Sequence, residues 1–198
     1  MAGFRTLPGE TPIDPSGLRD RTIRTRGQLN AVEAENIRKA TVKYLSAKPT
    51  KRQAPFHYTW CLRLHREMFG EVWEWAGTPP TEDLNIGVGW QQVEPRLYSL
   101  TEDLLAWGEY GTPLIEQAAR LHHLAVQIHP FLNGNGRWPR MLASIWLKRN
   151  RNPITEWPEQ VIGRQSPVRG EYLQAIRAAD EGDYELLLEL HRRFTASG

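Results

Sequence analysis

The segment HPFLNGNGRWPR, residues 129–140, constrains the fold of this chain more than any other stretch. Ahead of it, Leu114, Ala118, Leu121, Ala125 and Ile128 recur at intervals of three and four, which predicts a helix with one buried stripe. Pro130 disfavours helical geometry at His129, so that helix must stop there. Gly134 and Gly136 can take positive φ at little cost, so the chain can turn tightly. A second helix is expected from about Asn135 to Lys148, completing a helix–turn–helix unit whose turn is rich in glycine.

That unit has a definite polar geometry. Where a helix begins just after a glycine turn, its free N–H groups converge and form an anion site, aided by the helix dipole. Arg137 and Arg140 are three residues apart and share a face of the second helix. Two guanidinium forks at that spacing suit neighbouring groups of a polyphosphate. His129 ends the preceding helix; an ordinary imidazole titrates near 6.5 and is largely neutral at pH 7, able to accept a proton. The residues point to transfer of a phosphate-containing group to a hydroxyl, with His129 as base and the turn and arginines stabilising phosphate charge. No Lys-Ser/Thr follows the glycines, so the segment is not a P-loop, and the rest of the kinase signature set is missing.

The remaining chain is predicted to be helical. Further helices are expected from about Gly27 to Ala47, Phe56 to Phe69, Pro95 to Trp107, Val168 to Ala179 and Tyr184 to Phe194. Glycines and prolines break residues 70–94, and "LNIGVGWQQV" is expected to form a short irregular hairpin. The fold class expected is all-α, a helical bundle with one short β-hairpin. Residues 1–25, with three prolines in "LPGETPIDPSGL", read as an N-terminal arm, and residues 26–194 as one domain. A net charge of +2 predicts no wholesale binding to nucleic acid or membrane, so phosphate recognition should be local. One cysteine, Cys61, rules out an intrachain disulfide, and no apolar run reaches membrane-spanning length. Neither a signal peptide nor a span is evident, and a cytoplasmic location is expected. His57, His65 and His191 show no partners in the sequence and read as surface or capping residues; His122, His123 and His129 lack the further ligands of a zinc site.

The same twelve residues resemble the signature of the Fic family, His-x-Phe-x-acidic-Gly-Asn-Gly-Arg-x-x-Arg. His129, Phe131, Gly134, Asn135, Gly136, Arg137 and Arg140 fill seven of its eight positions. At roughly one in twenty per position, such a match arises by chance on the order of once in 10⁹ windows. "LHREMFGEVWEWAG" (64–77) and "YLQAIRAADEGDYELLLEL" (172–190) also resemble Fic segments. Within the family the chain most resembles the small stand-alone bacterial proteins called mobile mystery protein B, encoded beside a DNA-binding partner in a setting like that of toxin–antitoxin pairs.

The resemblance implies a protein adenylyltransferase moving AMP from ATP to a Ser, Thr or Tyr hydroxyl of a target protein. It makes His129 the base, Gly134, Asn135 and Gly136 the cradle of the α-phosphate, and Arg137 and Arg140 the ligands of the outer phosphates. The expected hairpin, Asn85, Ile86, Gly87 and Val88, would be a flap that clamps the target by strand pairing. The family's acidic position, a Mg²⁺ ligand, is Asn133 here, whose neutral carbonyl oxygen is a weaker ligand. Two alternatives follow: transfer of phosphate, as in the related Doc proteins, or a degenerate fold that binds nucleotide or a partner without turnover. Many Fic proteins carry an inhibitory glutamate before an Asn or Gly; "AVEAEN" (31–36) supplies Glu35, which would reach Arg140, although Glu33 and Glu35 also fit a solvated face. An oligomer is compatible with all of this.

Overall fold

The computed structural model describes residues 12–163 and 165–195. The helices are α1 (Arg26–Leu45), α2 (Tyr58–Phe69), α3 (Trp90–Glu109), α4 (Leu114–Ile128), α5 (Arg137–Arg149), α6 (Glu159–Ile162), α7 (Pro167–Asp180) and α8 (Glu185–Arg193), preceded by a 3-10 turn at Pro15–Gly17. The axis of the fold is α5, whose residues from Trp138 to Leu147 are all buried. A helix buried on every face is one wrapped by others. Helices α1, α2 and α4 pack directly on α5, α3 packs on α4 and α2, and α7 and α8 pair with each other against α4. The larger core joins Trp60, Phe69, Trp73, Phe131 and Trp138; a smaller one gathers Trp157, Tyr172, Ala175 and Leu187.

Local signals set the helix ends. Thr25 caps α1: its hydroxyl accepts the Gln28 N–H, and the Gln28 amide accepts the Thr25 N–H in return. Along α1 the buried stripe runs Leu29, Glu33, Asn36, Ala40, Tyr44, with a carboxylate in the middle of a core face. The first eleven residues of the expected arm lie outside the described residues. Of those that follow, Leu18 and Ile23 are buried, and Leu18 forms an isolated bridge with Trp73.

The expected hairpin does not form. Among the described residues there is no strand, only the bridges Leu18–Trp73 and Thr155–Thr195. Helix α3 starts at Trp90, five residues before Pro95, and takes up the residues that would have made the second strand. Asp83 accepts the Trp90 N–H at 2.9 Å and so anchors the start of α3. Pro95 lies close enough to that start to be tolerated, at the loss of one backbone hydrogen bond.

Three histidines are wholly buried. His122 sits 3.2 Å from His191 and 3.1 Å from the Tyr172 hydroxyl, and His191 meets the Thr155 hydroxyl at 2.9 Å. Burial holds His122 well below the usual histidine range, and pushes both His191 and His65 down to about 3. An unfolded histidine titrates near 6.5, so on acidification protons bind the unfolded chain first. The stability present above about pH 6.5 is therefore lost as pH falls from there toward 3, by about 1.4 kcal/mol per pH unit for each histidine. Urea unfolding at pH 7 and pH 5 is expected to show a clear fall in midpoint. An unchanged midpoint would mean these rings are not held neutral by burial.

Candidate functional site

Residues 129–136 form the loop between α4 and α5. His129 caps α4 in the left-handed region, φ 55° and ψ 57°, while its N–H still donates to the Ala125 carbonyl. A non-glycine residue rarely adopts that conformation; Pro130 excludes the helical alternative. Gly134 makes the return turn at φ +83°, where an added Cβ would lie 2.8 Å from the Phe69 ring and 2.9 Å from His65 Nε2. Gly136, expected to share this freedom, has φ −98° and serves as the N-cap of α5. It offers no side chain to cap the helix. Trp138 N–H donates to the Gly134 carbonyl at 3.0 Å and Pro139 has no N–H, so the N–H groups of Gly136 and Arg137 are the ones that keep their capacity for an anion.

Two side chains hold this loop. Asn135 is buried, and its amide spans the backbone of Phe131: Oδ1 accepts the Phe131 N–H at 3.1 Å and Nδ2 donates to the Phe131 carbonyl at 2.6 Å. Its side chain, expected in the phosphate cradle, is a clamp that closes the loop; only its backbone N–H can serve a ligand. The second is His65, from α2. Gly77 N–H donates to Nδ1 at 3.0 Å, so Nε2 carries the proton and donates to the Asn133 carbonyl at 3.0 Å. The ring stacks on Phe131 with centroids 3.6 Å apart. His65 is thus a buried support of the glycine turn, not a surface residue.

Both arginines are engaged. Arg137 Nη1 donates to Glu33 Oε2 at 2.8 Å, and its guanidinium lies over the Phe69 ring. Glu33 is buried and also accepts the Trp73 indole N–H at 2.7 Å, which makes it a fixed carboxylate rather than part of a solvated face. Arg140 is buried against the Tyr172 ring, and Glu159 of α6 grips it with both oxygens, Nε to Oε1 at 2.6 Å and Nη2 to Oε2. The Glu159 carboxylate raises the Arg140 pKa further against the opposing effect of burial. Glu35, expected to reach Arg140, is exposed and pairs with Arg38 one turn along α1. It points away because Glu33 occupies the inward position of that helix.

His129 is 8% exposed, and burial pushes its pKa down to about 4. The imidazole is therefore neutral at pH 7. Residues 80–89 form an irregular run over this end of the molecule. The Val88 N–H donates to the Ile128 carbonyl, and Gly87, at φ +106°, approaches so closely that a Cβ would lie 2.4 Å from the Cβ of His129. The expected flap thus abuts His129 without pairing as strands, with Asn85 exposed and Ile86 and Val88 half-buried. Asn133 turns its amide oxygen onto the Gly134 N–H at 2.7 Å, and no cluster of His, Cys, Asp or Glu suited to a metal occurs among the described residues.

Sequence reasoning missed Glu33, His65 and Glu159. The first two had a signal, since each lies on the apolar stripe of its helix, where a polar residue needs a partner. Glu159 had none, sitting in a stretch between prolines with no periodicity.

Residues 55–147 match the model of the Fic/DOC family. Protein adenylyltransferase Fic of Drosophila willistoni is 36% identical over 77 residues, 38% of this chain and 14% of that protein. Its Drosophila grimshawi counterpart is 36% identical over 69 residues, 35% of this chain and 13% of that protein, so the chain spans a small part of these curated relatives. BepC of Bartonella tribocorum, solved with bound AMPPNP, superposes with a TM-score of 0.65 over 92% of this chain and 94% of that one, at 18% identity. Fic-1 (residues 134–508) of C. elegans gives 0.63 over 82% and 47%, at 23% identity. Likeness at these identities shows a common fold.

Proposed function

Because this chain belongs to the Fic/DOC family through residues 55–147, we propose that it is a protein adenylyltransferase, moving AMP from ATP to a side-chain hydroxyl of a target protein. One observation carries the reading. A neutral histidine and an uncapped helix N-terminus flanked by two arginines stand at the two ends of one rigid loop. The adenylyltransferase names of the curated relatives and the AMPPNP held by BepC support the choice of group and donor.

The chemistry follows from the placement. His129 accepts the proton of the target hydroxyl. The hydroxyl oxygen bonds to the α-phosphorus, and the bond from that phosphorus to the bridging oxygen breaks, releasing pyrophosphate. The α5 N-terminus and the backbone around Gly134 and Gly136 stabilise charge on the α-phosphate. Arg137 and Arg140 meet the outer phosphates after exchanging their carboxylate partners for them. Ile86, Gly87 and Val88 lie where a target segment must pass to reach His129. The protein's own donors do not fit a resident Mg²⁺: Asn133 offers one neutral oxygen, already used by Gly134.

Intact-mass measurement after incubation with ATP and Mg²⁺, with the chain as its own target and with a lysate supplied, tests this. An adenylyl group added to protein is the expected result; a phosphoryl group would assign Doc-like transfer. Nucleotide binding with no transfer would assign a binding protein, a reading that draws on Asn133 and on the occupied arginines. The pH dependence is also fixed. With His129 at about 4, kcat/KM should hold from pH 7 to pH 5.5 and fall only as pH approaches 4. An acid limb near 6.5 would contradict the buried setting of the ring.

A further inference from the structure

At the far end of α5 from the glycine loop lies a second cluster of cations. A cavity of about 470 Å³ is lined by Lys48, Pro49, Thr50, Lys51, Arg149, Asn150 and Arg151, with four basic side chains and no acidic one. Among the described residues, none of these four makes an ion pair. Lys48, Lys51 and Arg151 are exposed, but Arg149 is only 9% exposed. Its guanidinium is stacked 4.3 Å from the Trp146 ring centroid and 4.8 Å from that of Phe56, and one N–H donates to the Ala54 carbonyl at 2.8 Å. Its other N–H donors make no hydrogen bond within the described residues.

A buried guanidinium ordinarily has a carboxylate beside it, as Arg140 does in this protein. The C-terminal dipole of α5 supplies roughly half a negative charge, too little for four cations. Contacts with aromatic faces offset only part of the desolvation. The backbone adds a further sign. Helix α5 closes with Arg151 N–H on the Lys148 carbonyl and Asn152 N–H on the Leu147 carbonyl, and Arg151 occupies the left-handed position, φ 62°, that glycine favours. An arginine stands there at a conformational cost, next to three other cations.

We infer that this cavity is a second anion site, built for a phosphate-class dianion, with Arg149 as the fixed fork and Lys48, Lys51 and Arg151 as its rim. A planar, stacked guanidinium is pre-organised for two phosphate oxygens, and flexible lysines complete the charge. The inference does not depend on the adenylyltransferase reading, because the site shares no residue with the glycine loop.

The test is a titration of the full chain with inorganic pyrophosphate, followed by amide NMR. Resonances of Lys51, Asn150 and Arg151 should shift saturably, with a Kd separate from that reported by Gly134 and Gly136. Lys51→Glu should weaken the first set at least tenfold and leave the second unchanged. Arg149 is packed in the core and its replacement can unfold the chain, so the exposed Lys51 and Arg151→Gln carry the test. ATP and a short single-stranded oligonucleotide as further titrants separate the sources: tighter binding of the oligonucleotide at the same resonances assigns a nucleic-acid backbone, and equal binding assigns free phosphates. No saturable shift at Lys51, Asn150 and Arg151, or shifts that Lys51→Glu leaves intact, would overturn the site, whether or not Gly134 responds.

Discussion

His129→Asn is expected to lower transfer by a factor on the order of 10² to 10⁴, the usual contribution of a positioned base, with little change in stability. Asparagine is the informative replacement because of the backbone. His129 holds φ 55° at the end of α4, and Asn tolerates that region better than most residues. Alanine would mix loss of the base with added strain. Asn keeps a polar group in a pocket where His129 is nearly buried, yet it cannot accept a proton at neutral pH. The expected pattern is a fall in kcat with the ATP affinity preserved, since the proposed mechanism gives the phosphates to the other end of the loop. Measured nucleotide Kd alongside single-turnover labelling gives that split. Equal activity in His129→Asn would remove His129 from the chemistry, and a parallel loss of nucleotide binding would make it a support of the loop instead.

Much of the site was readable because it is local. Pro130 dictates where α4 ends, and the stop falls at Ile128 as expected. Gly134 is needed at positive φ because the Phe69 and His65 rings leave no room for a Cβ. What was hidden depends on elements distant in sequence. The partner of Arg137 is 104 residues away on α1, and the local motif for an inhibitory glutamate pointed to Glu35. The helix stripe through Leu29, Glu33 and Asn36 shows instead that Glu33 must face inward. The resemblance to the Fic signature implied Asn135 in the phosphate cradle; its amide is spent on the Phe131 backbone. The hairpin failed for a reason of competition. "LNIGVGW" alternates like a strand, but it lacks a partner, and residues from Trp90 onward gain more by extending α3, which buries Val93 and Leu97.

Glu159→Gln should shift two quantities in opposite directions. In the structure Glu159 holds Arg140 with both oxygens, although its own side chain is 47% exposed and that of Arg140 5%. Loss of the carboxylate leaves a buried guanidinium short of countercharge. Breaking a fully buried pair costs about 3–5 kcal/mol, and the half-exposed Glu159 brings the expected loss of stability to about 1–3 kcal/mol. Nucleotide binding responds the other way. A triphosphate that uses Arg140 must displace Glu159, so the free protein holds its own carboxylate in competition with phosphate. Removing that competitor should tighten ATP by about tenfold, which corresponds to about 1.4 kcal/mol. AMP, lacking outer phosphates, should bind with unchanged affinity. Calorimetry with ATP and AMP, beside urea unfolding of the same variant, measures both effects. Weaker ATP binding in Glu159→Gln would mean that Glu159 orients Arg140 for phosphate rather than competing with it, and equal gains for ATP and AMP would place Arg140 away from the outer phosphates. Glu33 sets the contrast. It is buried and tied to Trp73 as well as to Arg137, so it cannot swing aside as freely as a half-exposed residue on a four-residue helix. In the proposed mechanism the exchange of carboxylate for phosphate therefore begins at Arg140, where the partner carboxylate is the half-exposed Glu159.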